Sequence, residues 1–566
     1  MRIFAFAGLV TLILAAAFGQ IDDSAPRFEA ADIHSSLHDP LTDIRRVFMS
    51  SGFYHGGRYE IHNASMIDLV RTAYGVDNDK VLGGPNWVEM DRFEVIAKAP
   101  ADTTQETLRL MLKSLLADRF KLVVHSDKKE LPTFALRAGK KPLLKEASGS
   151  GDTGCKPQPV ASGGQGGGMI NINGVTTQLG PDLSIAYACH NMTMAAFADA
   201  LHTMPISGVG GNPLVDETEL KGSWDFDLKY SLGIGRNAAV NGRIGIFEAV
   251  DKQLGLKLEA TKAPLPVIVV DSVNEKPSAN APDIAKVLPA LPTEFEVSDV
   301  KPSDPSPAGG PGRGGRGGPQ PGGRVEYRGM TLKTLVANAW GVSADKIVGG
   351  PKFMDTDRFD ILAKAPALAT AATGNQIDAE SLQLMLRALL ADRFKLTLHT
   401  ESQPADTYIL VAVKPKLRKA DPANRTSCPE GPGPDGKDPR IANPALNRLT
   451  TCLNMTMAQF AEQLPSFAPG YFGTIRTVVD ATGLEGAYDF TLSYSANGFQ
   501  NAGGRGRGGD TGPAAPGNGV AEAADPGQGI SILDALEKQL GLKLETQKRP
   551  TPFIVIDHVE QKPTDN

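Results

Sequence analysis

Residues 79–100 read DKVLGGPNWVEMDRFEVIAKAP, and residues 345–366 read DKIVGGPKFMDTDRFDILAKAP. The second stretch matches the first at 12 of 22 positions without a gap, so one unit is written at least twice. Working outward, ETLRLMLKSLLADRFKLVVH (106–125) matches ESLQLMLRALLADRFKLTLH (380–399). CHNMTMAAFADAL (189–201) matches CLNMTMAQFAEQL (452–464), and VDETELKGSWDFDLKYS (215–231) matches VDATGLEGAYDFTLSYS (479–495). FEAVDKQLGLKLE (247–259) matches LDALEKQLGLKLE (533–545), and VIVVD (267–271) matches FIVID (553–557). Blocks in one fixed order define two homologous tandem domains, 28–277 and 295–563, with a linker at 278–294. Length alone, 566 residues at roughly 150 per domain, would have suggested three or four units.

Both copies alternate between two periods. Met66, Leu69, Val70, Ala73 and Tyr74 recur at helical spacing, as do Leu332, Leu335, Val336, Ala339 and Trp340, with Gly75 and Gly341 as stops. Leu108, Leu112, Leu115 and Leu116 (Leu382, Leu386, Leu389 and Leu390 in copy 2) stripe a second helix. Met457, Phe460, Ala461 and Leu464 predict a third, and Leu533, Leu536 and Leu540 a fourth. Between them, Phe226-Leu228-Tyr230 and Phe359-Ile361-Ala363 alternate with polar neighbours as half-buried strands do, and 553–556 reads as a buried strand. Short strands mixed with about four helices per copy predict an α+β fold.

The offset between copies changes where composition turns loop-like. GGPGRGGRGGPQPGG (309–323) and the Gly/Pro/Ala-rich stretch 496–528 are inserts of copy 2, expected to be flexible because they carry too little apolar surface to offset chain entropy. A solvated loop is the ordinary reading of the Arg/Gly insert; weak contact with an anionic polymer or surface is the sharper one.

Lys and Arg number 58 and Asp and Glu 64, a net charge of −6, which argues against a dedicated nucleic-acid binder. Residues 1–19 have one early basic residue, an apolar run and Ala17-Phe18-Gly19 before a polar start, the anatomy of a signal peptide cleaved before Gln20. No later stretch is apolar for long enough to span a bilayer, so the expected destination is the periplasm or the exterior. Each copy carries two cysteines, Cys155 with Cys189 and Cys428 with Cys452. In an exported chain the economical inference is one disulfide per copy. Metal or redox chemistry is the weaker alternative, since no CxxC occurs and His190 beside Cys189 has Leu453 as its counterpart.

No matched reactive constellation accompanies this architecture. Nine histidines show no HExxH, and only His125 and His399 match between copies, each placed at the end of the strand after ADRFKL. Arg119 and Arg393 close the second helix, where a basic residue complements the dipole and pairs with a neighbouring acid. Asp216 and Asp480 read as turn caps, and Asn191-Met192-Thr193 and Asn454-Met455-Thr456 as helix caps ahead of a glycosylation role. Ser126-Asp127-Lys128-Lys129 spells SxxK without its usual helix or companion motifs. No catalytic, cofactor or metal residues are assigned; His125, His399, Arg119 and Arg393 are the polar candidates.

The blocks GGPNW, LLADRFKL with a following His, NMTM, VDATGLEGAYDFTLSYS and EKQLGLKLE resemble a secreted protein family of soil bacteria built on a tandem domain of unknown function. The same domain occurs beside membrane metallopeptidases of the β-lactam-regulator type. The resemblance implies export and a sensor-like accessory role, with no catalytic residues to carry over. Copy 1 departs from the pattern at Thr218-Glu219-Leu220, where the family prefers TGL. GMTLKTLVANAWG (329–341) and NMTMAQFAEQL are also similar to the small N-terminal domain of secretins and TonB-dependent receptors, which implies an interaction module with two halves per domain. The leading expectation is a non-catalytic binding module with a protein or glycan partner. The alternatives are an extracellular hydrolase assembled only in three dimensions and an envelope-structural protein.

Overall fold

The computed structural model describes residues 25–36, 50–149, 151–158, 169–172, 175–178, 180, 184–204, 213–231, 244–303, 316–369, 377–431, 433, 437–443, 446, 448–472, 477–495 and 530–564. Residues 1–19, where the sequence suggests a signal peptide, and residues 496–528 lie outside them.

Copy 1 opens with β1 (Ala30–Ser35), β2 (Ser50–His55), β3 (Arg58–Ser65), α1 (Met66–Tyr74), β4 (Val81–Gly83), β5 (Arg92–Lys98), α2 (Gln105–Phe120) and β6 (Val123–Ala138). It continues through β7 (Lys145–Glu146), β8 (Gly154–Gln158), β9 (Met169–Ile172), β10 (Val175–Gln178), β11 (Ser184–Met192), α3 (Met194–Thr203), β12 (Leu214–Asp216), β13 (Trp224–Ser231), α4 (Ile246–Leu254) and β14 (Leu256–Ser272). Copy 2 repeats the order with β15 (Val297–Pro302), β16 (Arg316–Gln320), β17 (Arg324–Thr331), α5 (Leu332–Trp340), β18 (Ile347–Gly349), β19 (Arg358–Lys364), α6 (Ala379–Phe394) and β20 (Thr397–Ala412). There follow β21 (Arg418–Lys419), β22 (Arg448–Thr456), α7 (Met457–Phe467), β23 (Val478–Asp480), β24 (Ala487–Tyr494), α8 (Ile532–Ala535, extended by a wider turn to Leu540) and β25 (Leu542–His558). The fold is α+β.

Each copy is two lobes joined by a ribbon. The first lobe of copy 1 lays α1 and α2 on the sheet β1-β5-β3-β2 around Ile61, Leu69, Phe93, Leu112 and Phe120. The second lays α3 and α4 against β7-β13-β11-β8 around Phe197, Leu201, Leu228 and Leu254. Between them, β6 and β14 pair antiparallel from Val123↔Ser272 to Ala138↔Leu256, about 50 Å at ~3.3 Å per residue. Each long strand starts under one lobe and ends under the other. Leu122 lies in the first core and Phe134 and Leu136 in the second, whereas Leu256 lies in the second and Ile268 and Val270 in the first. Pro132, Pro264 and Pro266 break the strand pattern in the sequence, yet the ribbon's register runs through all three. Its middle has only two strands, so both are edges and a proline there costs no ladder partner.

The lobes are variants of one unit, and the described residues hold four. Each contains a strand, a helix, a short parallel strand, a second strand, a second helix and the long strand. Each breaks the register of its first strand at a left-handed residue: Asn63 (φ 52°), Asn191 (50°), Gly329 (62°) and Asn454 (48°). That residue donates its N–H to a carboxylate on the neighbouring strand: Glu94 at 3.1 Å, Asp225 at 2.8 Å, Asp360 at 2.8 Å and Asp489 at 2.9 Å. The bulge aims Ser65, Thr193, Thr331 and Thr456 as N-caps of the next helix. An edge-on aromatic pair recurs too, Phe93–Phe120 and Phe359–Phe394 at 5.0 Å, Phe197–Phe226 at 4.7 Å and Phe460–Phe490 at 4.8 Å.

Several expectations need correction. His125 and His399 sit near the start of 16-residue strands and do not end them. The Gly-rich insert is partly structured: Arg316–Gln320 is an edge strand paired with β17, closed by Gly322 and Gly323 at φ 78° and 73°. A Gly/Pro-rich segment can pair there because the backbone supplies the hydrogen bonds and the strand lies at the sheet edge, where a proline is tolerated. Leu533 is exposed while Ile532 fills the core, and 553–556 alternates between half-buried and buried.

Where the family pattern has TGL, copy 2 places Gly483 at φ 65° and copy 1 forces Glu219 to φ 59°. Both turns are tied the same way, Asp216 accepting from Thr218 and Asp480 from Thr482. Glu219→Gly removes a left-handed side chain and raises stability by about 1 kcal/mol, read as a higher urea midpoint at unchanged m-value.

Candidate functional site

The opening stretch, residues 79–100, is a structural hub. Gly83 and Gly84 have φ 71° and 80°, and a Cβ on Gly83 would meet the Val270 carbonyl oxygen at 2.7 Å. This tight turn exposes backbone carbonyls, and Arg425 of copy 2 docks on them. Its guanidinium donates to the carbonyl oxygens of Val81 (3.0 Å) and Gly83 and to the Glu89 carboxylate (3.0 Å). Thr426 donates its N–H to the Asn86 carbonyl at 3.1 Å, and Met90 packs against the core of copy 2's second lobe. Burial pushes the Glu89 carboxyl up, against the opposing pull of Arg425.

A second contact between the copies is a charged cluster that they build jointly. On β3 the side chains alternate, so Arg58, Glu60 and His62 share the face turned away from α1 and α2. Glu94 reaches the cluster from β5, and Glu380 enters from the first turn of α6 in copy 2. His62 Nδ1 lies 2.7 Å from Glu94 Oε2, while Nε2 stands 3.6 Å from Glu60 Oε2 and 3.6 Å from Glu380 Oε2. Arg58 pairs with the other oxygen of Glu60 and donates to the Pro289 carbonyl of the linker at 2.6 Å. Glu60 is completely buried. Burial opposes the charge on His62, but the carboxylates of Glu60, Glu94 and Glu380 together outweigh it, holding the imidazole pKa up at about 10. The Glu60 and Glu94 carboxyls lie below their usual range because His62 (with Arg58 beside Glu60) outweighs their burial.

The sequence-level candidates fall elsewhere. His125 and His399 pair with Asp271 and Asp557 at 2.8 Å across the two ribbons, about half exposed. Such surface pairs contribute about 0–1 kcal/mol, and nothing else reactive joins them among the described residues. Among the described residues Arg119 forms no close ion pair with an acid, contrary to expectation. It donates to the Ala31 and Ser278 carbonyls and to Asn280 Oδ1, fastening β1 and the start of the linker to the end of α2. A cleft of about 430 Å³ opens beside it, lined by Phe28, Leu115, Asp118 and Val287, but the guanidinium is committed to those oxygens. Arg393 is mostly buried and stands 3.5 Å from Asp392. Both cysteine pairs are disulfides: Cys155 to Cys189 joins directly opposed residues of β8 and β11, and Cys428 to Cys452 holds the equivalent position.

The Glu60–His62–Glu380 cluster escaped sequence reasoning for a physical reason. Its members come from segments some 320 residues apart, and matching the copies hides it, since Arg328 stands where copy 1 has His62. The legible signal was that single mismatch, His62 against Arg328, inside the otherwise aligned Arg58-x-Glu60 and Arg324-x-Glu326.

Two disulfide-stapled α+β copies, each of paired lobes on a shared ribbon, define a duplicated two-lobe domain class. The chain belongs to the family described as protein of unknown function (DUF3738), which matches residues 67–273 and 333–559. No curated protein and no solved structure matches the chain. No helix among the described residues is long and apolar enough to cross a membrane. The two disulfides are compatible with an exported protein.

Proposed function

We propose that the protein is a non-catalytic binding module of the cell envelope or exterior, acting on a protein or glycan partner after export. One observation carries this reading: among the described residues the same sheet face is covered in copy 1 and exposed in copy 2. In copy 1 the outer face of the first-lobe sheet receives Glu380 and the linker. In copy 2 the equivalent face leaves Val297 69% and Leu362 46% exposed, with Arg324, Arg328 and Lys364 around them. An apolar centre within a charged rim is the composition of a docking patch. The recurrent polar residues are engaged in caps, bulges, turns and the exposed ion pairs of the ribbons, which favours binding over turnover.

The test compares the mature chain with a Val297→Asp/Leu362→Asp variant for saturable binding to solubilised envelope protein and to wall glycan. Binding by the parent, reduced at least tenfold in the variant, is expected. Turnover on a panel of peptide, ester and glycoside substrates overturns the reading.

A further inference from the structure

We infer that Glu60, His62 and Glu380 form a binding site for one divalent transition-metal cation of the zinc type, placed so that the ion joins the two copies. The three donor atoms lie within 4.8 Å of one another, and the His62 Nε2 contacts to both carboxylates are 3.6 Å. That spacing is too long for hydrogen bonds. It suits donors around one ion, because tetrahedral bonds of about 2.0–2.1 Å separate neighbouring donors by about 3.4 Å. His62 Nε2 is shielded from solvent and has no hydrogen-bond partner.

The surroundings meet the other requirements of such a site. Glu94 holds Nδ1, the outer carboxylate contact that orients a ligating histidine and directs its Nε2 at the metal. Arg58 holds one Glu60 oxygen and thereby directs the other into the cluster. With a neutral imidazole the three carboxylates exceed Arg58 by two negative charges, which a divalent ion balances. One nitrogen and two oxygens select a borderline cation over Mg²⁺ or Ca²⁺, which prefer all-oxygen shells. Metal and proton compete for Nε2. Glu380 is nearly half exposed, which leaves an entry path and room for a water as fourth ligand. Copy 2 cannot repeat the site, because Arg328 pairs with Glu326 where the imidazole would stand. The predicted stoichiometry is therefore one ion per chain.

The experiment uses the full mature chain stripped with chelator and titrated with Zn²⁺ calorimetrically at neutral pH, with Mg²⁺ and Ca²⁺ as controls. The parent binds one more Zn²⁺ than His62→Arg, and Glu380→Gln weakens that site at least tenfold. Zn²⁺ raises the thermal midpoint of the parent but not of His62→Arg. His62→Arg borrows the residue copy 2 already tolerates; should it fail to fold, Glu380→Gln, on a half-exposed side chain, decides alone. Equal stoichiometry and equal midpoints in parent and variants overturn the inference and leave the cluster as an ion-pair network.

Discussion

Replacing Cys155 and Cys189 together by alanine lowers the stability of copy 1 by about 3–4 kcal/mol, and replacing Cys428 and Cys452 does slightly less to copy 2. The bridges span 34 and 24 residues, and closing a longer loop in the unfolded chain removes more entropy, a difference of about 0.3 kcal/mol between them. The effect concentrates in the second lobes, where the bridge joins directly opposed residues of β8 and β11. Denaturant titration of the two double variants, followed by hydrogen exchange in each lobe, measures it. Loss confined to the first lobes would contradict this account.

His62→Ala, measured in chelator-treated protein, costs about 3 kcal/mol, the low end for breaking a buried ion pair because Arg58 still faces Glu60. His62→Arg costs much less, since it restores a cation. The pH dependence follows from the raised pKa. Below about 6.5 both folded and unfolded chains hold the proton and the contribution is complete. As pH rises towards about 10 the unfolded chain has released it while the folded chain retains it, so stability falls across this window. The chelator-treated parent therefore loses stability between pH 7 and 10, and His62→Arg lacks that component. Identical pH profiles for the two proteins would refute this assignment. The depressed Glu60 and Glu94 carboxyls act in the opposite sense, losing their contribution as pH falls below about 4.5.

Much of the fold was legible because it depends on local chemistry. The repeated blocks, the helical stripes ending in Gly75 and Gly341, the caps at Thr193 and Thr456 and the Asp216 and Asp480 turns all act within a few residues. The cysteine pairing was legible too, because each copy holds just two. The fourfold unit was only hinted at. Its halves share few identities, and what recurs is a backbone event, a left-handed residue whose N–H meets a carboxylate on another strand, filled by Asn three times and Gly once.

The amino-acid sequence by itself determined that this protein is two copies of one α+β unit, with a disulfide in each and helices begun and ended by their own capping residues. Those features arise from side chains and backbone groups that are close along the chain or alone of their kind. The tertiary structure decided that prolines interrupt no ribbon, that a Gly-rich insert completes a sheet, and that Glu380 meets Glu60 and His62. Such outcomes depend on which edges lie free and which faces meet after folding, and a cluster drawn from both copies exists only once one copy has docked on the other.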